Sequence, residues 1–320
     1  MDSPDVHFRS REQASAIAFT LARVGYGSFV LPTGAGKSLI FQLPAWLERS
    51  QPLVTVVFVP YASLREDHNA RAKALGIPSL AWGSGVRASA SLVFVVVESA
   101  VKDGFYGYCK ELVAKNQIAR FVVDEFHTLA TQADYRDAFA LLGMFATLGP
   151  IQWVLLSGTA GLALERRVLE GLGLNPSVVT YIRAPTSRAN VAYRVRPVPR
   201  LNSNMVALVQ GELAKNLKGP ADRALVFCLT TSLVDTLSAA LGALAYHARM
   251  DEDTRRINFA AFKAGGEGCS VMVASSAFST GVHVPSIRQT IHIGLPRSTI
   301  DFLQESGRAG RDGQRAEALI

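Results

Sequence analysis

The stretch LPTGAGKS, at residues 31–38, decides the predicted fold. Its glycines leave backbone N–H groups open to phosphate oxygens, Lys37 supplies a positive charge, and Ser38 offers a hydroxyl to Mg²⁺. Leu31 stands where the strict phosphate-loop pattern has a glycine, and glycine-rich turns before helices are also common. The stretch predicts a nucleotide site for ATP and Mg²⁺. Its predicted contacts are Thr33, Gly34, Ala35, Gly36, Lys37 and Ser38.

An acidic pair supports this prediction. The segment VVDEFH, at residues 122–127, places Asp124 and Glu125 just after an apolar run. Asp124 is suited to hold Mg²⁺ together with Ser38, and Glu125 to orient or deprotonate the attacking water. An acid pair at the end of a strand can also simply cap the next helix. Next to a phosphate loop, the catalytic interpretation is favoured.

Short apolar runs alternate with segments of helical period along the first half of the chain. The runs at 28–31, 54–59, 92–97, 121–123 and 154–156 are continuous and rich in β-branched residues. Such runs are typical of strands buried on both faces of a parallel sheet with crossover helices. Ligands of such sheets bind at the carboxyl ends of the strands, where the phosphate loop and the acid pair fall.

A second series of the same kind follows a segment rich in proline and arginine. The series comprises a predicted helix at 205–217 and strands at 224–228, 243–246, 271–274 and 290–293, and another strand begins where the chain stops. We therefore predict a first domain at 1–183, a linker at 184–200 and a second domain at 201–320, apparently truncated. The arginines of the linker, together with Arg183 directly before it, fit either a solvated loop or direct contact with nucleic acid. They are Arg183, Arg188, Arg194, Arg196 and Arg200.

Composition limits the classes of protein and partner. The 33 Lys and Arg residues outnumber the 26 Asp and Glu residues, giving a net charge of +7, which favours a polyanionic partner. Three scattered cysteines fit neither a disulfide framework nor a four-ligand zinc site. With no signal peptide and no apolar run long enough to cross a bilayer, we expect a soluble intracellular protein with no membrane partner.

The last motif, QESGRAGRDG at residues 304–313, carries two arginines at a spacing of three. This spacing predicts that Arg308 and Arg311 share one helical face. A mobile arginine stabilises charge on the γ-phosphate during phosphoryl transfer. Together with the phosphate loop, the motif predicts an ATP site divided between two domains.

These residues, in this order, resemble the superfamily 2 DNA helicases of the RecQ type. The phosphate loop is similar to motif I of that family, DEFH at 124–127 to its DExH motif II, and SGTA at 157–160 to motif III. Residues 226–228, 273–292 and 304–313 are similar to motifs IV, V and VI. The resemblance implies two tandem RecA-like P-loop NTPase lobes, each a parallel sheet flanked by helices. It also implies an ATP-dependent DNA helicase or translocase that moves 3′ to 5′.

The resemblance implies further site residues. Gln13 would read adenine, His127 would link motif II to the neighbouring lobe, and Gln304 would act beside the two arginines. The implied nucleic-acid contacts are Tyr61, Ser63, Arg65, Ser99, Tyr135, Arg136, Thr230 and Ser275. Tyr135 and Arg136 belong to a segment similar to the aromatic-rich loop of the family, although it is one residue shorter. Hydroxyl residues at strand ends are also ordinary turn formers.

Two alternatives to a DNA helicase remain. One is a DExH RNA helicase, and the other is a non-catalytic remnant that binds ATP or DNA, such as a copy of a mobile or subtelomeric gene. The remnant is motivated by His283, which replaces the family's usual Asn or Asp, and by the shortened loop. The favoured prediction is a monomer that acts on DNA in repair or recombination, nuclear in a eukaryote and otherwise cytoplasmic. Without the family's zinc module and winged helix, we expect translocation with little unwinding.

Overall fold

The computed structural model describes residues 7–83, 90–100, 102, 104–131, 135–198, 204–279, 284 and 286–320. Within these ranges, the side chains at 130, 131, 135–140 and 279 lie outside the description. His283 and Arg200 also lie outside it. The chain divides into two compact units, Met1–Thr186 and Ser187–Ile320.

The first unit is built on a parallel sheet. Its described strands are β1 (Tyr26–Val30), β2 (Val54–Val59), β3 (Ser79–Ala81), β4 (Leu92–Val96), β5 (Ile118–Val123), β6 (Gln152–Ser157) and β7 (Val179–Arg183). They lie in the order β3-β4-β2-β5-β6-β1-β7, and every neighbouring pair is parallel. All their carboxyl ends therefore lie along one edge of the sheet.

The central strands are continuous apolar runs because both of their faces are covered. Alternate side chains of β2 enter two different cores: Val56 and Phe58 join one cluster, while Val57 and Val59 join the other. A strand whose side chains alternate between two dry faces cannot carry the alternating polar pattern of a half-exposed sheet.

Helices pack against this sheet. They are α1 (Arg11–Ala22), α2 (Leu39–Leu47), α3 (Ala62–Ala74), α4 (Val97–Ala100), α5 (Phe105–Ala114), α6 (His127–Thr131), α7 (Tyr135–Ala146) and α8 (Leu162–Gly171), with a 3₁₀ turn at Pro176–Val178. Among the described helices of the whole chain, none is long and apolar enough to cross a membrane.

The second unit repeats the plan. Its described strands are β8 (Val191–Arg194), β9 (Arg223–Cys228), β10 (Leu244–Tyr246), β11 (Val271–Ala274), β12 (Ile287–Ile293) and β13 (Ala316–Leu319), in the parallel order β10-β11-β9-β12-β13-β8. Its helices are α9 (Met205–Asn216), α10 (Thr231–Leu241), α11 (Glu252–Ala264) and α12 (Thr299–Ser306), with a 3₁₀ turn at Ser276–Ser279.

The predicted fold class, two α/β units with parallel sheets flanked by helices, is confirmed. The linker prediction for residues 184–200 is wrong in one part, because Val191–Arg194 is strand β8, paired with β13. This strand was missed because it lies at the edge of its sheet, where three of its four residues are exposed. The edge strands β3 and β7 were missed as well, and neither is a continuous buried run.

Candidate functional site

The phosphate loop follows β1 at the carboxyl edge of the first sheet. Gly34 and Gly36 have φ angles of 88° and 79°, a region that glycine enters without steric cost. A Cβ on Gly34 would meet open space, whereas one on Gly36 would stand 2.4 Å from Gln13 Nε2. Helix α2 begins at Leu39, directly after Ser38. The loop therefore presents its backbone at a helix N-terminus, where anions are stabilised.

Helix α1 supports this loop through Gln13. The buried Gln13 amide donates to the Gly36 carbonyl oxygen at 3.1 Å and accepts from the Arg9 backbone N–H at 2.7 Å. The Arg9 guanidinium donates to the Gly34 carbonyl oxygen. Gln13 and Arg9 are thus attached to the phosphate loop itself, and the implied reading of adenine by Gln13 stays a prediction.

Lys37 lies between two oxygen acceptors. Its Nζ is 3.8 Å from Glu125 Oε1 and 3.4 Å from the Leu31 carbonyl oxygen. A Cβ on Gly158 would stand 3.1 Å from that Nζ and 3.3 Å from Thr33 Oγ1. The loops after β1, β5 and β6 therefore converge on the lysine, because these strands are neighbours in the sheet.

Asp124 is buried and held as a carboxylate. Its Oδ2 lies 2.8 Å from His68 Nε2, and its Oδ1 accepts the Glu125 backbone N–H at 3.0 Å. Burial by itself would raise the pKa of Asp124, but the hydrogen bond and charge of His68, with the charge of Lys37, outweigh it and lower the pKa. An ionised carboxylate at neutral pH is the form that binds a divalent cation.

His68 is a site residue that the sequence analysis missed. It lies on α3, whose N-terminal residues are candidates for nucleic-acid contact, and its ring stacks on Phe94 with centroids 5.7 Å apart. No spacing in the sequence connects residues 68 and 124. They meet because α3 follows β2 and Asp124 follows β5, and these two strands are adjacent in the sheet.

Glu125, His127 and Ser157 form a second connection. His127 Nδ1 lies 2.9 Å from Ser157 Oγ and 3.4 Å from Glu125 Oε2. Ser157 Oγ also accepts the backbone N–H groups of Thr159 and Ala160, each at 3.2 Å. Glu125 has a φ of 50°, an uncommon value for a residue with a side chain. The DExH segment is thus bonded to the end of β6 within this unit, and the implied link from His127 to the neighbouring lobe stays a prediction.

The site in the first unit fits ATP and Mg²⁺. The phosphate loop supplies glycine backbone at a helix N-terminus with a lysine beside it, and Asp124 supplies a carboxylate whose pKa is lowered. Ser38 lies at the end of the same loop, directly before α2. This donor set of carboxylate and hydroxyl oxygens is the kind that Mg²⁺ prefers.

Four of the predicted nucleic-acid contacts of the first unit follow β2 and β4, away from the phosphate loop along the same edge. Tyr61 precedes α3, Ser63 is exposed on it, and Ser99 lies on α4. Arg65 donates to the Trp82 carbonyl oxygen at 2.7 Å and pairs with Glu66. The side chains of Tyr135 and Arg136, at the start of α7, lie outside the described part of the chain.

Two predicted contacts of the second unit perform structural tasks. Thr230 caps α10 by accepting the Leu233 backbone N–H at 3.2 Å, and Ser275 Oγ accepts the Ala277 backbone N–H at 3.3 Å. Both follow carboxyl ends of strands, β9 and β11. The structure thus gives each hydroxyl a turn-forming role, which does not prevent a contact with phosphate.

The prediction that Arg308 and Arg311 share a helical face is wrong. Helix α12 contains Gln304 but ends at Ser306, and both arginines lie in the turn that leads to β13. Arg308 is buried with its guanidinium 5.9 Å from the centre of the Phe278 ring, and Arg311 Nε donates to the Gly307 carbonyl oxygen at 3.4 Å. After the helix the backbone continues in tighter turns, with the Arg308 N–H bonded to the Glu305 carbonyl at 3.2 Å, and Gly310, with a φ of 58°, then leaves the helical region between the two arginines.

The described arginines in the predicted linker and directly before it all contact their own unit. Arg183 pairs with the buried Glu165 and donates to the Ala160 carbonyl oxygen at 2.7 Å. Arg194 pairs with Glu317 and Arg196 with Glu212, while Arg188 donates to carbonyl oxygens of the turn after α12. These arginines are therefore attached to folded structure, which neither sequence interpretation of the linker included.

Comparisons with known proteins match both units of the chain to helicase domains. The model of the DEAD/DEAH box helicase family matches residues 10–166, and that of the helicase conserved C-terminal domain matches residues 205–313. The RecQ-like DNA helicase BLM of Xenopus laevis is 29% identical over 92% of this chain and 23% of its own length. The RecQ-like DNA helicase blm-1 of Caenorhabditis elegans is 31% identical over 98% of this chain and 33% of its own length.

A solved structure shows the same fold. The structure of S. cerevisiae Dbp5 bound to RNA and ADP BeF3 is similar with a TM-score of 0.72 and 17% identity, over 97% of this chain and 82% of that one. The chain spans about a quarter to a third of the length of the two curated relatives. The two family models together match most of the chain, which therefore carries a DEAD/DEAH box helicase domain and a helicase conserved C-terminal domain, and its resemblance to RecQ-like DNA helicases is confirmed.

Proposed function

We propose that this chain is the motor core of an ATP-dependent DNA helicase or translocase that moves 3′ to 5′ on single-stranded DNA. One observation carries the proposal. Lys37, the carboxylate of Asp124 and Glu125 converge at the carboxyl edge of the first sheet, next to a phosphate loop. A binding remnant has no need of a buried carboxylate held ionised beside a second acid.

Each group has a role in hydrolysis. Backbone N–H groups of the phosphate loop and the Lys37 ammonium bind phosphate oxygens of ATP, and Glu125 orients the attacking water and accepts its proton. Mg²⁺, held by Ser38 and Asp124, would supply charge neutralisation on the phosphates. Arg308 and Arg311 stabilise the negative charge of the transition state, with Gln304 beside them. These assignments follow the motif positions and the geometry within each unit.

Two connections in the first unit are suited to couple DNA contact to hydrolysis. The His127–Ser157 bond joins the DExH segment to the end of β6, and the His68–Asp124 bond joins that segment to α3. Helix α3 begins beside Tyr61, a proposed DNA contact. A shift of α3 on DNA would therefore reach the carboxylate proposed to hold the metal.

The proposed substrate is DNA because the two reported curated relatives are named DNA helicases and the chain carries a net charge of +7. The proposed contacts position the phosphate backbone without reading sequence. They are Tyr61, Ser63, Arg65, Ser99, Tyr135, Arg136, Thr230 and Ser275. We also propose that the protein acts as a monomer in DNA repair or recombination, in the nucleus if its source is eukaryotic and otherwise in the cytoplasm.

Replacement of Glu125 tests the catalytic assignment. The Glu125→Gln variant should bind ATP but lower kcat for ATP hydrolysis by roughly 10²–10⁴-fold, the usual size of a lost general base. Glu111→Gln is the matched control, because Glu111 is exposed on α5. Steady-state ATPase rates with saturating single-stranded DNA, and the Kd for a fluorescent ATP analogue, make the measurement. Hydrolysis by Glu125→Gln at the control's rate would remove Glu125 from the mechanism.

A further inference from the structure

The turn between α12 and β13 is held by side chains that come from the start of the second unit. Arg188 Nη1 donates to the Gly307 carbonyl oxygen at 3.0 Å, and Arg188 Nη2 donates to that of Gly310. These carbonyls belong to the residues directly before Arg308 and Arg311. One guanidinium therefore fixes the two peptide groups from which both arginines start.

Asn190 supports the same turn. Its Nδ2 donates to the carbonyl oxygens of Gly310 and Gln314, at 2.8 Å each. A Cβ on Gly310 would stand 2.6 Å from that nitrogen and 2.8 Å from the Gln314 oxygen, so glycine is required for this approach. The Asn190 carbonyl accepts the Ala316 backbone N–H at 2.9 Å, which leads directly into the pairing of β8 with β13.

A second arginine holds the far end of the turn. Arg288 Nη1 donates to Asp312 Oδ1 at 2.9 Å, and its Nε donates to Asp222 Oδ1 at 3.1 Å. The Arg288 guanidinium lowers the pKa of Asp312, so this pair is charged at neutral pH. The turn is thus anchored on both sides of Arg311, as a rigid support rather than a free loop.

Burial lowers the pKa of Arg188, which marks a guanidinium withdrawn from water rather than one on a solvated loop. A charged donor to two neutral carbonyls forms stronger hydrogen bonds than a neutral donor would. Structural support of β8 alone does not require a guanidinium that reaches the turn, since Val191 of β8 is already paired with Ala316.

We propose that Arg188, assisted by Asn190, is a positioning residue for hydrolysis: it fixes the turn so that Arg308 and Arg311 are oriented toward the developing charge. This inference rests on the proposed role of those two arginines. It gives a task to a segment that the sequence presented as either a solvated loop or a nucleic-acid contact. Preorganised charge is effective only when it is held in place, and a displacement near 1 Å can cost about 10²-fold in rate.

The test compares Arg188→Ala with Arg194→Ala. The control residue lies on β8 and pairs with Glu317 at 3.2 Å, so it removes an arginine and an ion pair from the same segment. With saturating single-stranded DNA, Arg188→Ala should lower kcat for ATP by about tenfold or more, with the KM for ATP changed less than about twofold. The kcat and the KM for ATP of Arg194→Ala should each stay within about twofold of those of the parent chain. Arg188→Lys, which keeps the charge but not the two-pronged geometry, should recover part of the rate.

A combined variant separates positioning from general damage. Adding Arg188→Ala to a chain that already carries Arg308→Ala and Arg311→Ala should lower the residual rate by less than about twofold, because residues that act as one unit are not additive. The same fold-loss in both backgrounds, or an unchanged kcat in Arg188→Ala, would overturn the positioning role. If circular dichroism shows that Arg188→Ala is unfolded, Asn190→Ala takes its place in the same set of variants. Full activity of Arg308→Ala would instead overturn the proposed role of Arg308, and the positioning role with it.

Discussion

At the scale of single residues, the charge of Asp124 depends on a histidine from a different element. A carboxylate this deeply buried would ordinarily be destabilised, and His68 supplies the donor that offsets the cost. The ring is itself fixed by stacking on Phe94 and edge contact with Phe41, so the bond is preorganised. The acid proposed to bind Mg²⁺ is therefore oriented from α3 as well as from its own strand.

Replacement of His68 should expose this dependence. His68→Phe keeps the ring but removes the donor, so the pKa of Asp124 should rise and the free energy of unfolding should fall by about 1–3 kcal/mol. The Mg²⁺ concentration for half-maximal ATPase should rise by roughly tenfold, the low end of the effect of losing a ligand's hydrogen-bond partner. His68→Gln, which restores a donor, should recover much of the lost unfolding free energy and much of the affinity for Mg²⁺. Urea unfolding and Mg²⁺ titration of the ATPase rate are the measurements.

The matched control is His247→Phe. His247 is also buried and also bonds an aspartate, Asp235, at 2.9 Å, but in the second unit. The His247→Phe variant should lower the free energy of unfolding without changing the Mg²⁺ concentration for half-maximal ATPase. An equal rise in the Mg²⁺ requirement for both variants would mean that the His68 bond has no specific effect on the metal site.

At the scale of elements, the turn between α12 and β13 depends on one glycine. Gly310 has a positive φ and is packed against Asn190 and the Gln314 carbonyl. Gly313, three residues later, has a φ of 83°, but a Cβ there would meet nothing within 4 Å. The two glycines therefore share backbone strain and differ in packing.

Alanine at each position should separate the two effects. Gly313→Ala should cost about 1 kcal/mol of unfolding free energy from backbone strain alone, whereas Gly310→Ala should cost about 2–4 kcal/mol because strain and overlap add. Gly310→Ala should also lower the ATPase kcat, since it displaces the peptide before Arg311. Chemical unfolding measures the loss of unfolding free energy, and steady-state ATPase rates measure the fall in kcat. Equal stability of the two variants would contradict the tight packing of this turn.

The elements that were predictable from sequence are those whose side chains are covered on both faces. The apolar run at 54–59 gave the bounds of β2 and the run at 271–274 those of β11, because continuous burial leaves a continuous apolar pattern. Strand β8 was not predictable, since its sequence, VAYR, is mostly exposed and its pairing comes from β13, more than a hundred residues away.

The residues of the candidate site also fall into a group that the sequence predicts and a group that it does not. Lys37, Asp124 and Glu125 were predictable because each belongs to a local motif after a buried strand. His68 and Arg188 were not, because each acts through a partner brought near by the order of strands in a sheet. The spacing of Arg308 and Arg311 suggested a helix, but Gly310 takes the chain out of the helical region. Local motifs identify the reacting groups, whereas the residues that orient them depend on the tertiary fold.

At the scale of the whole molecule, the chain has two units of one plan with different tasks. The first carries the phosphate loop and the acid pair, and the second carries the two arginines on a supported turn. Proposed DNA contacts follow strands of both sheets. We propose that this arrangement makes ATP hydrolysis depend on DNA.

The most direct test is the ATPase rate of the chain with no nucleic acid, with single-stranded DNA and with single-stranded RNA of the same sequence. We predict that DNA raises kcat by about tenfold or more, that RNA raises it much less, and that added salt weakens the stimulation because phosphate contacts release counterions. Equal or greater stimulation by RNA would contradict the DNA assignment. An ATPase rate that neither nucleic acid changes would contradict the motor itself and leave a nucleotide-binding remnant as the account of this chain.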